Sequence, residues 1–230
     1  EDPAAYVNWS YDTIKFQDCI DEKLNAWEGD LILSLINKQN RYFSKIDKTP
    51  DVYSLGEVNE NPKVSVIIPL YGRWDFIWNH LSLFSKDDDF LNQVELIYVV
   101  DDPRIISPIL DDIENLYDIY KVPFKVCWGH RNRGFSGANN LGASIAQGKH
   151  LLFMNSDVFP TGINWLSHFI KIYENDTECG VLSSLLVTPN GSIQHAGMDF
   201  YYSDSWKVWL NRHPKAGLDK NTVENRPPFN

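Results

Sequence analysis

Much of what usually marks a protein out is scarce in these 230 residues. Cysteine occurs three times, at Cys19, Cys127 and Cys179. The spacing makes no metal-ligand set and the odd count no disulfide framework, so small buried thiols in a reducing compartment are expected. No apolar run reaches the roughly 18 residues of a membrane span, and no signal peptide is visible. The expected location is the cytoplasm, or the periphery of the inner face of the membrane. Positive charge is also short. The 21 Lys and Arg against 31 Asp and Glu leave a net charge of −10, which excludes the broad positive field that nucleic acids or anionic membranes require. No G-x-G-x-x-G follows the first strand-like run, and "GKH" (148–150) lacks the rest of a P-loop. There is no G-x-S-x-G elbow and no His-Glu-x-x-His. His195 and His213 stand singly, without partner spacing, and read as surface or structural. The only methionines are Met154 and Met198, so the chain is expected to be processed or a piece of something longer.

What is present is a core-forming composition, 43% hydrophobic and 13% aromatic, long enough for one or two domains. Residues 1–62 and 63–230 differ in pattern. In the first, Ile20, Leu24, Trp27, Leu31 and Leu35 form the apolar stripe of an amphipathic helix. Thr49 to Pro62, rich in Pro, Gly, Asn and Glu, reads as a linker. From Lys63 onward strands and helices alternate. Strands are expected at "VSVIIPL" (64–70), "VELIYVVDD" (94–102), "FKVCW" (124–128), "HLLFMN" (150–155) and "GVLSSLLV" (180–187), with helices at 75–84, 105–120, 134–148 and 164–174. Pro189-Asn190-Gly191 signals a turn. Such alternation predicts an α/β fold, a mostly parallel sheet covered by helices.

In such sheets ligands collect outside the carboxyl ends of the strands. Those ends are Pro69-Leu70-Tyr71-Gly72-Arg73, Asp101-Asp102, Arg131-Asn132-Arg133-Gly134 and Asn155-Ser156-Asp157. Together they bring acids, amides, guanidiniums and glycine backbone to one edge, a set suited to a nucleotide. One or two carboxylates with the substrate's own phosphates are the usual way to hold Mg²⁺ or Mn²⁺. Singly, each has a plainer reading. Asp101-Asp102 also fits a turn, Arg131 and Arg133 a solvated pair, Gly134, Gly137 and Gly142 tight helix packing, and Asn155 a cap.

"VSVIIPLYGR", "ELIYVVDD", "NRGFSGANNLGASIAQGKHLLFMNSDV" and "GSIQHAG" resemble the nucleotide-sugar-binding half of family 2 glycosyltransferases with the GT-A fold, over roughly residues 63–200. The "NSDV" and "IQHAG" segments are most similar to rhamnosyltransferase-like bacterial members of polysaccharide biosynthesis. The resemblance implies that the backbone around Pro69, Leu70 and Tyr71, with Asp101 or Asp102, holds the nucleobase and ribose. Arg131, Asn132 and Gly134 would line the base and phosphate side. Asn155 and Ser156 would reach ribose or phosphate, and Asp157 would ligate a Mg²⁺ or Mn²⁺ ion bridging the diphosphate. The implied partners are a UDP- or dTDP-sugar donor and a saccharide or lipid-linked acceptor, and the implied reaction is an inverting, metal-assisted transfer.

The sequence departs from the family pattern in three places. Asn155 replaces the first acid of the family's D-x-D. Pro103-Arg104 replaces the small residues after the second-strand acids. The segment that carries the family's catalytic base is expected beyond Asn230, so no base is assigned, and the GT-A domain (63–230) is expected to be incomplete. A non-catalytic nucleotide-sugar-binding module is the alternative. A sugar nucleotidyltransferase would need a Gly-rich loop where Leu70-Tyr71-Gly72-Arg73 stands. The tail from Tyr201 reads as a loop-rich extension or as part of an acceptor-side wall, with Trp206 and Trp209 as packing or sugar-stacking residues.

Overall fold

The computed structural model describes residues 37–38, 41, 48–57 and 59–222. The amphipathic stripe from Ile20 to Leu35 lies outside them. The chain forms two compact units, which divide between Ile163 and Asn164.

The first unit is built on a five-stranded sheet of β1 (Asp51–Leu55), β2 (Val64–Leu70), β3 (Val94–Val100), β4 (Phe124–Trp128) and β5 (His150–Phe153), in the order β1-β4-β3-β2-β5. The last four strands are parallel. Helices α1 (Phe76–Phe84), α2 (Asp88–Gln93), α3 (Ile106–Tyr120) and α4 (Gly134–Ile145) connect them. The α/β architecture, parallel sheet and helical flanks of the GT-A expectation are therefore present. The linker reading of Thr49–Pro62 is corrected. Asp51–Leu55 pairs antiparallel with β4, Asp51 opposite Trp128 and Leu55 opposite Phe124. Its mostly exposed side chains suit an edge strand.

The two faces of the sheet pack differently. On one, Ile67, Ile97, Val99 and Cys127 meet Ala138 and Leu141 of α4. The approach is close because position 142 has no side chain: a Cβ there would lie 2.5 Å from the Ile67 methyl and 2.9 Å from that of Val99. On the other face an aromatic layer forms. Tyr98 stacks on His80 of α1, with ring centroids 6.1 Å apart, and meets Phe124 edge-on at 5.8 Å. Phe84 stacks on Phe90 at 4.0 Å. Helix α2, which the sequence reading left unassigned, is capped by the Asp87 carboxylate accepting from the Phe90 N–H.

At the amino-terminal rim Glu95 is fully buried. It accepts from Lys125 Nζ at 2.6 Å, from the Gln147 N–H at 2.7 Å and from the Ser65 hydroxyl. Burial pushes its carboxyl upward, but these donors outweigh burial and hold it below the ordinary carboxylate range. The cluster ties the entry of β3 to β4 and to the turn before β5.

In the second unit the fifth strand expected at 180–187 is not found. Only β6 (Leu186–Val187) is extended, paired antiparallel with β7 (Ile193–His195) around the Pro189-Asn190-Gly191 turn. Ser183 and Ser184 interrupt the apolar run, and Val181 is 89% exposed. Helix α5 (Trp165–Asn175) follows the expected stripe. The loop-rich reading of the tail is also corrected. Strands β8 (Asp199–Ser203) and β9 (Val208–Arg212) form a hairpin, closed by an edge-on Tyr202–Trp209 pair at 5.7 Å and a two-pronged Arg212–Asp199 bridge. His195 and His213 are not solitary: their Nδ1 atoms share a hydrogen bond of 3.1 Å.

Gly142→Ala should destabilise the protein by about 1–3 kcal/mol, the usual range for overpacking a filled interior. Urea unfolding checks this; an unchanged midpoint would mean that α4 rides higher on the sheet than described.

Candidate functional site

Strand β2 runs to the end of the sheet, whereas β5, beside it, stops pairing at Phe153 opposite Ile67. Successive peptide groups of β2 face opposite neighbours. The Ile67 carbonyl accepts from Met154 N on the β5 side, and the Leu70 carbonyl from Asp101 N on the β3 side. Pro69 therefore points its missing N–H to the β5 side, beyond the last β5 pair. A proline is tolerated in this interior strand because its neighbour has already turned away. The chain leaves β2 toward β3 on one side, while β5 lies on the other. That makes the gap between them the switch point of the sheet, where open α/β sheets bind ligands.

A cleft of about 540 Å³ opens there. Of the expected residues, Pro69, Tyr71, Asp101, Asn132, Gly134, Asn155, Ser156 and Asp157 line it. Leu70 does not: its side chain is fully buried in the core. Asp102 does not either. Its carboxylate accepts from the Gly72 N–H at 3.1 Å, from the Arg104 N–H at 2.9 Å and from the Arg104 guanidinium at 2.6 Å. Arg104 holds the Asp102 carboxyl below its ordinary range, and the pair occupies the Pro103-Arg104 departure noted above. Arg131 lies outside the cleft lining as well, donating to the Asn132 carbonyl at 3.1 Å.

Asp101 is only 4% exposed yet borders the cleft. Its carboxylate accepts from the Arg133 N–H at 2.6 Å, at the start of α4. Burial pushes its carboxyl up to about 6, against the pull of the Arg133 and Gly134 N–H groups and of the Arg131 and Arg133 charges. The positive end of α4 is thus occupied by a carboxylate of the protein itself. Gly134 takes φ +70°, with its N–H bonded to the Asn132 side chain at 2.8 Å; this left-handed turn starts the helix.

Asp157 is exposed, and among the described residues its carboxylate has no hydrogen-bond or ion-pair partner given by the geometry. No cluster of three or more His, Cys, Asp or Glu able to hold a metal exists among the described residues. A single unpaired carboxylate fits a divalent ion that takes its other ligands from substrate phosphates and water. It does not fit a protein-only metal cage.

Of the remaining lining residues, Arg73 stands in the expected strand-end segment, whereas Phe76 and Phe135 were not expected from sequence. Arg73 is bridged to Asp75 at 2.5 Å and lies over the Phe76 ring at 4.4 Å. Phe135 is 63% exposed in the first turn of α4. His80, outside the lining, is fully buried and makes a 3.0 Å hydrogen bond to the Val158 carbonyl. Burial pushes its imidazole down to about 4. The signal was present in the sequence, since His80 falls on the apolar stripe of α1 with Ile77, Leu81 and Phe84.

The profile of Glycosyl transferase family 2 matches residues 65–221, more than half of the chain, and the chain belongs to that family. It is 28% identical over 141 residues to the O-antigen biosynthesis protein RfbC of Myxococcus xanthus, covering 61% of this chain and 11% of that protein. It is also 28% identical over 147 residues to an uncharacterized glycosyltransferase of Rickettsia bellii, covering 61% of this chain and 20% of that protein. The chain thus spans about a tenth to a fifth of the length of these curated relatives. Among solved structures, the mannosyltransferase PcManGT of Pyrobaculum calidifontis, in complex with GDP-Man and Mn²⁺, aligns with a TM-score of 0.42 at 17% identity, covering 62% of this chain and 41% of that one. S. aureus TarS aligns at 0.39 and 25%, covering 49% and 20%. No helix of the described residues is long and apolar enough to cross a membrane.

Asp101 gives a pH signature. Its folded-state value, about 6, lies above the ordinary 3.8, so the folded protein holds this proton more tightly than the unfolded chain. The stability that the proton contributes is complete below about pH 4 and is lost as pH rises through 6. Asp101→Asn keeps an acceptor for the Arg133 N–H without a charge. Its stability relative to wild type should therefore increase between pH 4 and 7.5. Thermal melts across that range check this; a flat difference would show the ionised carboxylate to be fully compensated.

Proposed function

We propose that this chain is the donor-binding part of an enzyme that transfers a sugar, with inversion, from a UDP- or dTDP-sugar to a saccharide or lipid-linked acceptor. The observation that carries the reading is that two unlike carboxylates, Asp101 buried and Asp157 exposed, line one cleft at the switch point. A buried carboxylate suits the N–H or hydroxyl donors of a nucleobase or ribose. The exposed rings of Tyr71 and Phe135 supply flat apolar surface for a base. Because Asp101 already occupies the start of α4, the diphosphate belongs on the side of Asn155, Ser156 and Asp157.

Asp157 would hold Mg²⁺ or Mn²⁺ together with the diphosphate. The chemistry such an ion supplies is neutralisation of the charge that develops on the departing nucleoside diphosphate. The Asn155 amide and Ser156 hydroxyl orient the phosphate or ribose oxygens by hydrogen bonds. No residue of the chain is assigned as the base for the acceptor hydroxyl. Among the described residues Asp101 and Asp157 are the only acids lining the cleft, and both have donor-side tasks. This favours a second reading, in which the chain alone binds the donor without transferring sugar.

UDP or dTDP with Mn²⁺ should raise the melting temperature by mass action, with about 2.7 kcal/mol of stabilisation at a hundredfold excess over Kd. Asp157→Ala should remove the metal-dependent part. The substitution should cost under about 0.5 kcal/mol in the free protein, because the side chain is exposed. Differential scanning fluorimetry measures both. Indifference of the wild type to every nucleoside diphosphate would end the reading, and an undiminished metal effect in the variant would remove Asp157 from the site.

A further inference from the structure

We propose that His80 is a positioning residue for the metal-facing loop: its Nε2–H, bonded to the Val158 carbonyl, fixes the backbone that presents Asp157 to the cleft. The proposal rests on the reading of Asp157 as the metal-facing carboxylate.

The loop leaving β5 has no strand partner after Met154, so something else must hold it. Two hydrogen bonds bracket Asp157. Behind it, the Val158 N–H donates to the Asn155 carbonyl at 3.1 Å and closes the turn. Ahead of it, the carbonyl of the same Val158 faces His80 Nε2 at 3.0 Å. A carbonyl only accepts, so Nε2 carries the proton. The other ring nitrogen, Nδ1, is buried without a hydrogen-bond partner among the described residues. A second proton would be stranded there, and the tautomer is fixed as Nε2–H. The ring is further held by stacking on Phe84 at 5.7 Å and by a tilted contact with Phe159 at 4.9 Å. Phe159 also meets Phe76 at 5.9 Å, so the residue after Val158 is clamped onto the same helix.

The residue type is informative. A phenylalanine at position 80 would fill this aromatic layer without leaving a nitrogen unsatisfied, and burying an unpaired polar atom is unfavourable. What histidine adds is the one donor aimed at Val158. Residues that orient a metal-binding side chain from outside the ligand set characteristically change metal affinity tenfold to a hundredfold when replaced.

The test is a Mn²⁺ titration at saturating UDP, or dTDP if that is the nucleotide bound, followed by thermal shift in wild type, His80→Gln and His80→Phe. Nucleotide affinity without metal is measured alongside by calorimetry. His80→Phe should weaken Mn²⁺ by about tenfold and leave metal-free nucleotide binding unchanged. His80→Gln, whose amide nitrogen can stand near the imidazole Nε2, should recover most of the loss. A purely structural role would lower the melting temperature of both variants without this split. Should the Phe variant not fold, His80→Met, which also lacks a donor, takes its place. In the ligand-free wild type, ¹⁵N–¹H correlation spectra of the imidazole should show the Nε2–H tautomer at neutral pH. Equal Mn²⁺ affinity in wild type and the donor-less variant, a Gln variant no better than Phe, or an Nδ1–H tautomer would each overturn the proposal while leaving the Asp157 reading intact. No Mn²⁺ response in wild type would remove the Asp157 reading, and this proposal with it.

Discussion

The first unit depends on a pair of adjacent carboxylates at the end of its central strand. Asp102 grips the loop leaving β2 through the Gly72 N–H, and Asp101 grips the loop leaving β4 through the Arg133 N–H. Side chains alternate along an extended chain, so the two acids serve different neighbours. Together they tie the loops leaving β2 and β4 to the end of β3. With them, the loops converge and the cleft has walls. The same arrangement explains the contrast in their chemistry. Asp102 is matched by a guanidinium and is held in its ionised form. Asp101 is buried, and burial outweighs its backbone donors and the Arg131 and Arg133 charges and pushes it toward neutrality.

The cleft itself comes from a difference in strand length. β5 stops pairing at Phe153 while β2 continues to Leu70, and the vacated flank of β2 carries Pro69. Helix α1 then closes the side of the gap that β5 no longer covers. It holds the departing loop through His80 and Phe76, so the aromatic layer and the loop carrying Asn155 to Asp157 are packed together.

Much of this was legible in the sequence. The four parallel strands, their helices and the convergence of their ends follow from runs of β-branched residues alternating with helical stripes. Eight of the eleven expected site positions line the cleft. The misses have physical causes. Asp51–Leu55 is short, mostly exposed and flanked by linker-like residues, as an edge strand facing water can be, so hydrophobic pattern did not reveal it. "GVLSSLLV" is apolar enough for a strand, yet pattern does not disclose whether a partner is available. Leu70 and Asp102 alternate with Pro69 and Asp101, and which of two neighbours faces a crevice depends on register. His80 is the hardest case: one histidine in an apolar stripe reads as core until the carbonyl facing it is known.

The buried ends of β3 have one more consequence. Every residue from Val94 to Val100 is buried, on both faces, so shifting the strand by one place would trade apolar side chains for apolar side chains. Hydrophobicity alone therefore does not say where this strand should stop sliding. Glu95 at one end and the aspartates at the other do, because a slip would strand a charge at each. The polar termini act as a ruler for the most featureless segment of the sheet, and the groups that measure its alignment at one end are those that shape the cleft. Errors in alignment during folding would thus be felt as loss of the site and loss of the fold together.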